Sequence, residues 1–124
     1  MPDWTTHALL TFASTDEVHL ATRRENGTLR SARIIWVVTS GERVFIRSTN
    51  GPDAAWYRAA TATLAGRLTA RGLAHDVTFT DVEDDADLAA ADAGYRAKYG
   101  RYASIVDHLE EPGPRAATLE VHPT

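Results

Sequence analysis

The spacing of apolar residues changes character along the chain, and each change predicts an element. Trp4, Ala8, Leu9 and Phe12 recur every three or four positions, a helical face that Asp3 is placed to cap. From residue 17 to 24 the pattern alternates instead. Val18, Leu20 and Thr22 fall on one side and His19, Ala21 and Arg23 on the other, as in a half-buried strand. Glu25-Asn26-Gly27-Thr28 supplies a hairpin turn, and residues 29–39, rich in β-branched and aromatic side chains, predict one long second strand. Ser40-Gly41-Glu42 turns it into a third strand over 43–49. A short helix follows over 52–61, opened by Pro52 with Asp53 in its first turn. Strands over 66–70 and 75–82 flank a turn at Gly72. The acidic run Glu83-Asp84-Asp85 starts the longest helix, with Leu88, Ala91, Tyr95, Tyr99 and Tyr102 as its stripe. Residues 103–109 add a further turn or two, Glu111-Pro112-Gly113-Pro114 reads as a loop, and a closing strand covers 115–122.

The order α-βββ-α-ββ-α-β predicts an α+β fold: a six-stranded antiparallel split β-barrel with peripheral helices, filling residues 1–124 as one domain. Short antiparallel strands need their edges covered or closed, which favours a barrel over an open sheet; a β-sandwich is the competing architecture. At 124 residues with 44% apolar and 24% charged types, the chain suits one hydrophobic core. It lacks the Gly-rich phosphate loop of a βαβ unit. No apolar run reaches the ~18 residues of a membrane span. The first residues have neither the basic nor the apolar region of a signal peptide, and there is no cysteine. These features predict a cytoplasmic protein with no membrane partner and no disulfide or thiolate chemistry.

The net charge of −4 is unevenly spread: residues 23–71 hold nine arginines against three acids, and residues 72–124 hold four basic side chains against eleven acidic ones. A basic middle in an acidic chain suits a small anion and disfavours nucleic acid, which is held mainly by phosphate neutralisation. Histidines at metal-ligand spacing and a Gly-x-Ser-x-Gly elbow are both missing, so neither a metal site nor a serine hydrolase is expected. In Arg47-Ser48-Thr49-Asn50-Gly51-Pro52, a strand ends in hydroxyl and amide side chains ahead of a helix start. Free N–H groups and the helix dipole favour an anion there, although the same residues equally suit plain capping. Arg47 adds a cation capable of bidentate contact; taken as a largely exposed charge, it contributes less than about 1 kcal/mol to stability. Trp56-Tyr57-Arg58 and Tyr95, Arg96, Lys98, Tyr99, Arg101, Tyr102 interleave rings with cations. That mixture either encloses a planar anion or forms the apolar stripe of a surface helix.

The run from Gly27 to Val38, with Val44-Phe45-Ile46-Arg47-Ser48, resembles the second and third strands of the flavin-binding split β-barrel superfamily. That superfamily includes pyridoxamine-phosphate-oxidase-like proteins and deazaflavin-dependent nitroreductases. Ser48-Thr49-Asn50-Gly51 and Trp56-Tyr57 resemble the nitroreductase segment that joins the third strand to a helix and binds the cofactor. More closely, the blocks Trp36-Val37-Val38, Arg47 to Arg58 and Tyr95 to Tyr102 are similar to an uncharacterised family of short bacterial proteins allied to these barrels, over about residues 16–121.

The resemblance implies a homodimer with a cofactor site at the subunit interface. Trp4 and Phe12, which a monomer need not bury, direct that contact to one sheet face and the N-terminal or long helix. It also implies an oxidoreductase that uses FMN or a deazaflavin (coenzyme F-420) to pass a hydride to or from a small organic substrate. On that analogy Arg47, Ser48, Asn50 and Gly51 hold phosphate, Arg33 and Trp36 flank the ring, and Trp56, Tyr57, Arg58 and Lys98 complete the cofactor site. Tyr95 or Tyr99 is the catalytic proton donor. Asp53 and a shortened stretch between Gly51 and Trp56 depart from the nitroreductase pattern. They keep a second reading open, a cofactor-free split barrel that binds or non-redoxly transforms a small anionic metabolite. Haem binding through a histidine is a third.

Overall fold

In the computed structural model, which describes residues 3–124, the chain runs α1 (Thr6–Ser14), β1 (Val18–Thr22), β2 (Arg33–Ile35), β3 (Val38–Ser40), β4 (Arg43–Arg47), a 3-10 turn (Gly51–Asp53), α2 (Ala55–Thr63), β5 (Ala65–Ala70), β6 (Leu73–Asp81), α3 (Asp85–Tyr99), α4 (Ala103–Leu109), α5 (Pro112–Arg115) and β7 (Thr118–Pro123). All seven strands join one antiparallel sheet in the order β2-β1-β5-β6-β7-β4-β3. The two outermost strands are consecutive in the chain: the backbone leaves one edge at Ile35, opposite Val18, and joins the other at Val38, opposite Phe45. Three peptide links reach at most about 11 Å. The sheet therefore curls until its edges nearly meet, giving an α+β half-barrel with peripheral helices.

The expected six strands are thus seven. Residues 29–39 do not form one strand; they make an isolated bridge from Leu29 to Arg23, then β2, a break at Trp36-Val37, and β3. Side chains of α3 hold the break. The Val37 carbonyl accepts from Lys98 Nζ at 2.6 Å, and the Val37 N–H donates to Tyr99 Oη at 3.3 Å. At the seam, two helix side chains satisfy backbone groups that a neighbouring strand would otherwise satisfy.

Two apolar clusters lie on opposite faces of β4. Val44 and Ile46 join Leu20, Leu68, Phe79 and Leu119 inside the curl, closed by α1 and α2. Phe45 points the other way, into Val38, Leu88, Tyr95, Tyr99, Val106 and Leu109 beneath α3 and α4. Period-two alternation therefore sends Phe45 and Arg47 together towards α3. Gly66 on β5 shows how closely the curl is packed. A Cβ there stands 2.6 Å from the Ala21 carbonyl and 3.1 Å from the Phe79 ring. Gly66→Ala should cost roughly 2–3 kcal/mol by overpacking, read as a lowered urea midpoint.

The helix ends show where side-chain capping differs from expectation. Thr5 rather than Asp3 caps α1, accepting the Ala8 N–H at 3.1 Å. Asp84 caps α3 from within the acidic run. The helix expected over 52–61 starts late: Gly51 and Ala54 donate back to Ser48 and Gly51 in tight three-residue turns, so the chain is extended at Ala54 before α2 begins. The loop expected over 111–114 is mostly taken up by α5, which runs on to Arg115, and β7 begins at Thr118 rather than 115. Phe12 is fully buried in the chain's own core, and Trp4 Nε1 donates to the Val121 carbonyl at 3.0 Å. Phe12 is thus committed to the core and Trp4, half-buried, is packed on it and tied to β7, so the chain buries most of the apolar surface on which that motive for a dimer rests. Among the described residues no helix is long and apolar enough to cross a membrane.

Candidate functional site

A cleft of about 430 Å³ opens between β2, the end of β4, and helices α2, α3 and α4. β2 and the seam supply Arg33, Ile35 and Trp36; Arg47 ends β4, Trp56 comes from α2, and Tyr95 from α3. Ile105 and Leu109, one turn apart on α4, form its apolar rim, and Glu17 is its single carboxylate. Five of the residues singled out from sequence meet here: Arg33, Trp36, Arg47, Trp56 and Tyr95. Four elements and the seam bring them together.

Trp36 is held by stacking. Its ring lies 3.9 Å from that of Tyr99 at an interplanar angle of 2°, and Tyr102 approaches its other surroundings at 5.6 Å. Tyr99 is itself fixed, since its hydroxyl donates to the Asp16 carbonyl at 2.6 Å and accepts from Val37. That hydroxyl is committed to backbone groups, which removes Tyr99 as a proton donor and makes it the support of Trp36. Tyr95 is the opposite case. It is fully buried, lines the cleft, and its hydroxyl has no hydrogen-bond partner. Burial pushes its pKa up, with the guanidinium of Arg47 opposing, so Tyr95 keeps its proton across the physiological range. A protonated, unpartnered buried hydroxyl is a donor awaiting an acceptor.

Arg47 is not the exposed cation that its place in the motif suggests. Its side chain is wholly buried; Nη1 reaches Asp92 at 2.5 Å and the Leu109 carbonyl at 3.0 Å, and Nε reaches Thr118 Oγ1 at 2.7 Å. Its guanidinium also lies 5.5 Å over the Tyr95 ring. These partners leave it little capacity for a phosphate, so Arg47 ties β4 to α3, α4 and β7 and forms a wall of the cleft.

The remaining predicted residues lie outside the cleft. Ser48 is buried with an unpartnered hydroxyl, and Asn50 is exposed and caps nothing. Gly51 has φ +75° and packs on α5, where a Cβ meets the Gly113 carbonyl at 3.3 Å. Tyr57 joins α2 to β6 by donating to Asp81 at 2.7 Å. Arg58 is exposed. Lys98 spends its ammonium on three carbonyls, those of Phe12, Thr15 and Val37, and so pins the end of α1 to the seam; burial pulls its pKa down to about 8. Asp53, a departure from the nitroreductase pattern, is exposed and lines neither this cleft nor the one beside it. The apolar rim of Ile105 and Leu109 was missed by sequence reasoning; their four-residue spacing in 103–109 was its only signal.

A larger cleft of about 670 Å³ adjoins the first, sharing Arg33, Ile34 and Trp56 as a common wall. It lies between β1, residues 24–32 and the first turns of α2. No histidine lines either cleft.

The curled antiparallel sheet with its peripheral helices structurally resembles the FMN-binding split-barrel and deazaflavin-reductase superfamily in fold. The chain belongs to the family described as "Uncharacterized protein conserved in bacteria (DUF2255)", whose model matches residues 8–121. Among solved structures it is similar to the conserved hypothetical protein Rv2991 of Mycobacterium tuberculosis, with a TM-score of 0.67, 12% identity, and coverage of 98% of this chain and 81% of that one. An F420-H2 dependent reductase aligns with a TM-score of 0.64 and 16% identity over 86% of this chain and 94% of its own. The haem storage protein HutZ of Vibrio cholerae aligns with a TM-score of 0.62 and 17% identity over 93% and 86%. At such identities the likeness speaks to the fold. No curated protein matches the sequence.

Proposed function

We propose that the protein is an oxidoreductase whose smaller cleft takes the ring of a flavin or deazaflavin and presents a small organic substrate to it. The observation that carries this reading is the unpartnered, buried hydroxyl of Tyr95, a residue that lines a cleft walled by Trp36 and Trp56. The donor set fits such a ring: flat aromatic walls, Arg33 beside them without a carboxylate partner, and only one acidic residue in the lining. The volume lies within the range of small-molecule sites. When bound, the cofactor supplies hydride transfer. The chain's own residues bind and orient it. Trp36, braced by Tyr99, and Trp56 set the plane of the ring, while Arg33 faces its anionic edge or phosphate. Tyr95 holds a proton at Oη for the reacting centre. Similarity of fold to an F420-H2 dependent reductase supports the cofactor class.

Calorimetric titration tests the reading. FMN or the deazaflavin should bind with a Kd below about 100 µM, about −5.5 kcal/mol. If both bind more weakly, the cofactor-free alternative takes over, a split barrel that holds a small anionic metabolite in the same cleft.

The reading includes a homodimer. With Phe12 buried and Trp4 packed half-buried on the core, Ile34 (59% exposed) and Ile105 (42%) at the mouth of the cleft are apolar side chains that a second copy can cover. Light scattering should give a dimer at micromolar concentration, and Ile34→Lys should shift it towards monomer. A monomeric wild type removes the dimer from the account.

A further inference from the structure

The larger cleft has a chemistry of its own. Seven of the chain's twelve arginines are paired with a carboxylate: Arg23, Arg43, Arg47, Arg67, Arg96, Arg101 and Arg115. Among the described residues the other five have no carboxylate partner, and three of those five, Arg24, Arg30 and Arg33, line this one cleft. Arg24 contacts only neutral groups, Thr28 Oγ1 and the Leu29 carbonyl, so its charge is unbalanced. The guanidinium groups of Arg30 and Arg33 have no acceptor among the described residues, and no acidic residue lines the cleft. The opposite wall is apolar, with Leu20, Ala55, Trp56 and Ala59. It ends at the first turn of α2, where Ala54 offers no side chain to cap the free N–H groups. Arg58 and Arg71, the other two, lie apart from it, so three of the five unpaired cations converge on one concavity.

The geometry points to a binding site for a small organic anion, a phosphate or carboxylate carried on an apolar body. The anionic group lies among Arg24, Arg30 and Arg33, and the body lies against Trp56 and the alanines of α2. The inference is independent of the flavin reading. Because Arg33 and Trp56 are shared with the neighbouring cleft, the anion is either the phosphate of a nucleotide whose ring lies next door or a separate molecule.

Calorimetry with phenyl phosphate, phenol and inorganic phosphate tests it. Phenyl phosphate should bind at least about tenfold more tightly than either of the others, because it alone carries both charge and body, and added salt should weaken it. Arg30→Ala should reduce that affinity about tenfold. Arg58→Ala, also exposed and without a carboxylate but outside both clefts, should leave it unchanged. Circular dichroism and urea unfolding of both variants establish that each is folded. Phenyl phosphate binding no better than phenol, or unchanged binding in a folded Arg30→Ala protein, overturns the site. Repeating the titration with saturating FMN distinguishes the sources: displacement assigns the cleft to the nucleotide's own phosphate, and joint binding assigns it to a second molecule. Should FMN not bind at all, the flavin reading fails while the first two arms still decide the anion site.

Discussion

Arg47→Ala should lower the free energy of unfolding by about 3 kcal/mol, the cost of breaking a buried ion pair. The substitution leaves the carbonyl of Leu109 without its donor, strips Asp92 of its shorter partner, and opens a void beneath Tyr95. Asp92 keeps Arg115 at 3.1 Å, which holds the loss to the lower end of the range for such pairs. The melting temperature should fall by about 10 °C. Arg47→Lys should recover only part of this, because an ammonium cannot reach Asp92, Thr118 and Leu109 at once in the planar fork that the guanidinium provides. Arg58→Ala, fully outside these contacts, should change stability by less than about 0.5 kcal/mol. Equal effects for Arg47 and Arg58 in denaturant titrations contradict the assignment of Arg47 as a buried tie.

Tyr95→Phe should do the reverse, sparing stability and removing function. The lost hydroxyl is buried and unpartnered, so its removal should raise stability by up to about 1 kcal/mol. If Tyr95 supplies the proton, reduction of a quinone acceptor by the cofactor-loaded protein should fall about 100-fold, with cofactor affinity little changed. Tyr99→Phe makes the informative comparison. Its hydroxyl holds Asp16 and Val37, so the change should cost about 1–2 kcal/mol. A Tyr95→Phe protein with undiminished turnover leaves Tyr95 with no catalytic part.

These two side chains also show what the sequence disclosed and what it concealed. The strand alternation of 17–24 and the stripe of Leu88, Ala91, Tyr95 and Tyr99 were legible because burial on one face imposes a period that residue types reveal. The seam at Trp36-Val37 was not. A run of β-branched and aromatic residues looks the same whether it pairs with one neighbour or transfers from one edge to the other, and what breaks it is Lys98 and Tyr99, over sixty positions away. Strand alternation puts Arg47 on the face of Phe45, yet its partner Asp92 lies on α3, a pairing that no local pattern encodes. Proximity in the motif made Arg47, Ser48 and Asn50 look like one anion site; the turn at 48–54 instead buries the first two and turns the third to solvent. The cationic cleft was visible only as an excess of arginine over residues 23–71, since which arginines are neutralised depends on acids supplied by distant elements.

Tryptophan emission during titration with FMN and with the deazaflavin tests the central claim most directly. Of the chain's three tryptophans, Trp36 and Trp56 line the proposed ring site, whereas Trp4 packs against Phe12 and His75 and lines neither cleft. Saturable quenching with a Kd below about 100 µM is expected, lost in a Trp36→Phe, Trp56→Phe double variant whose remaining emission comes from Trp4. An absence of saturable quenching, or quenching that survives in the double variant, contradicts a flavin-class ring in this cleft.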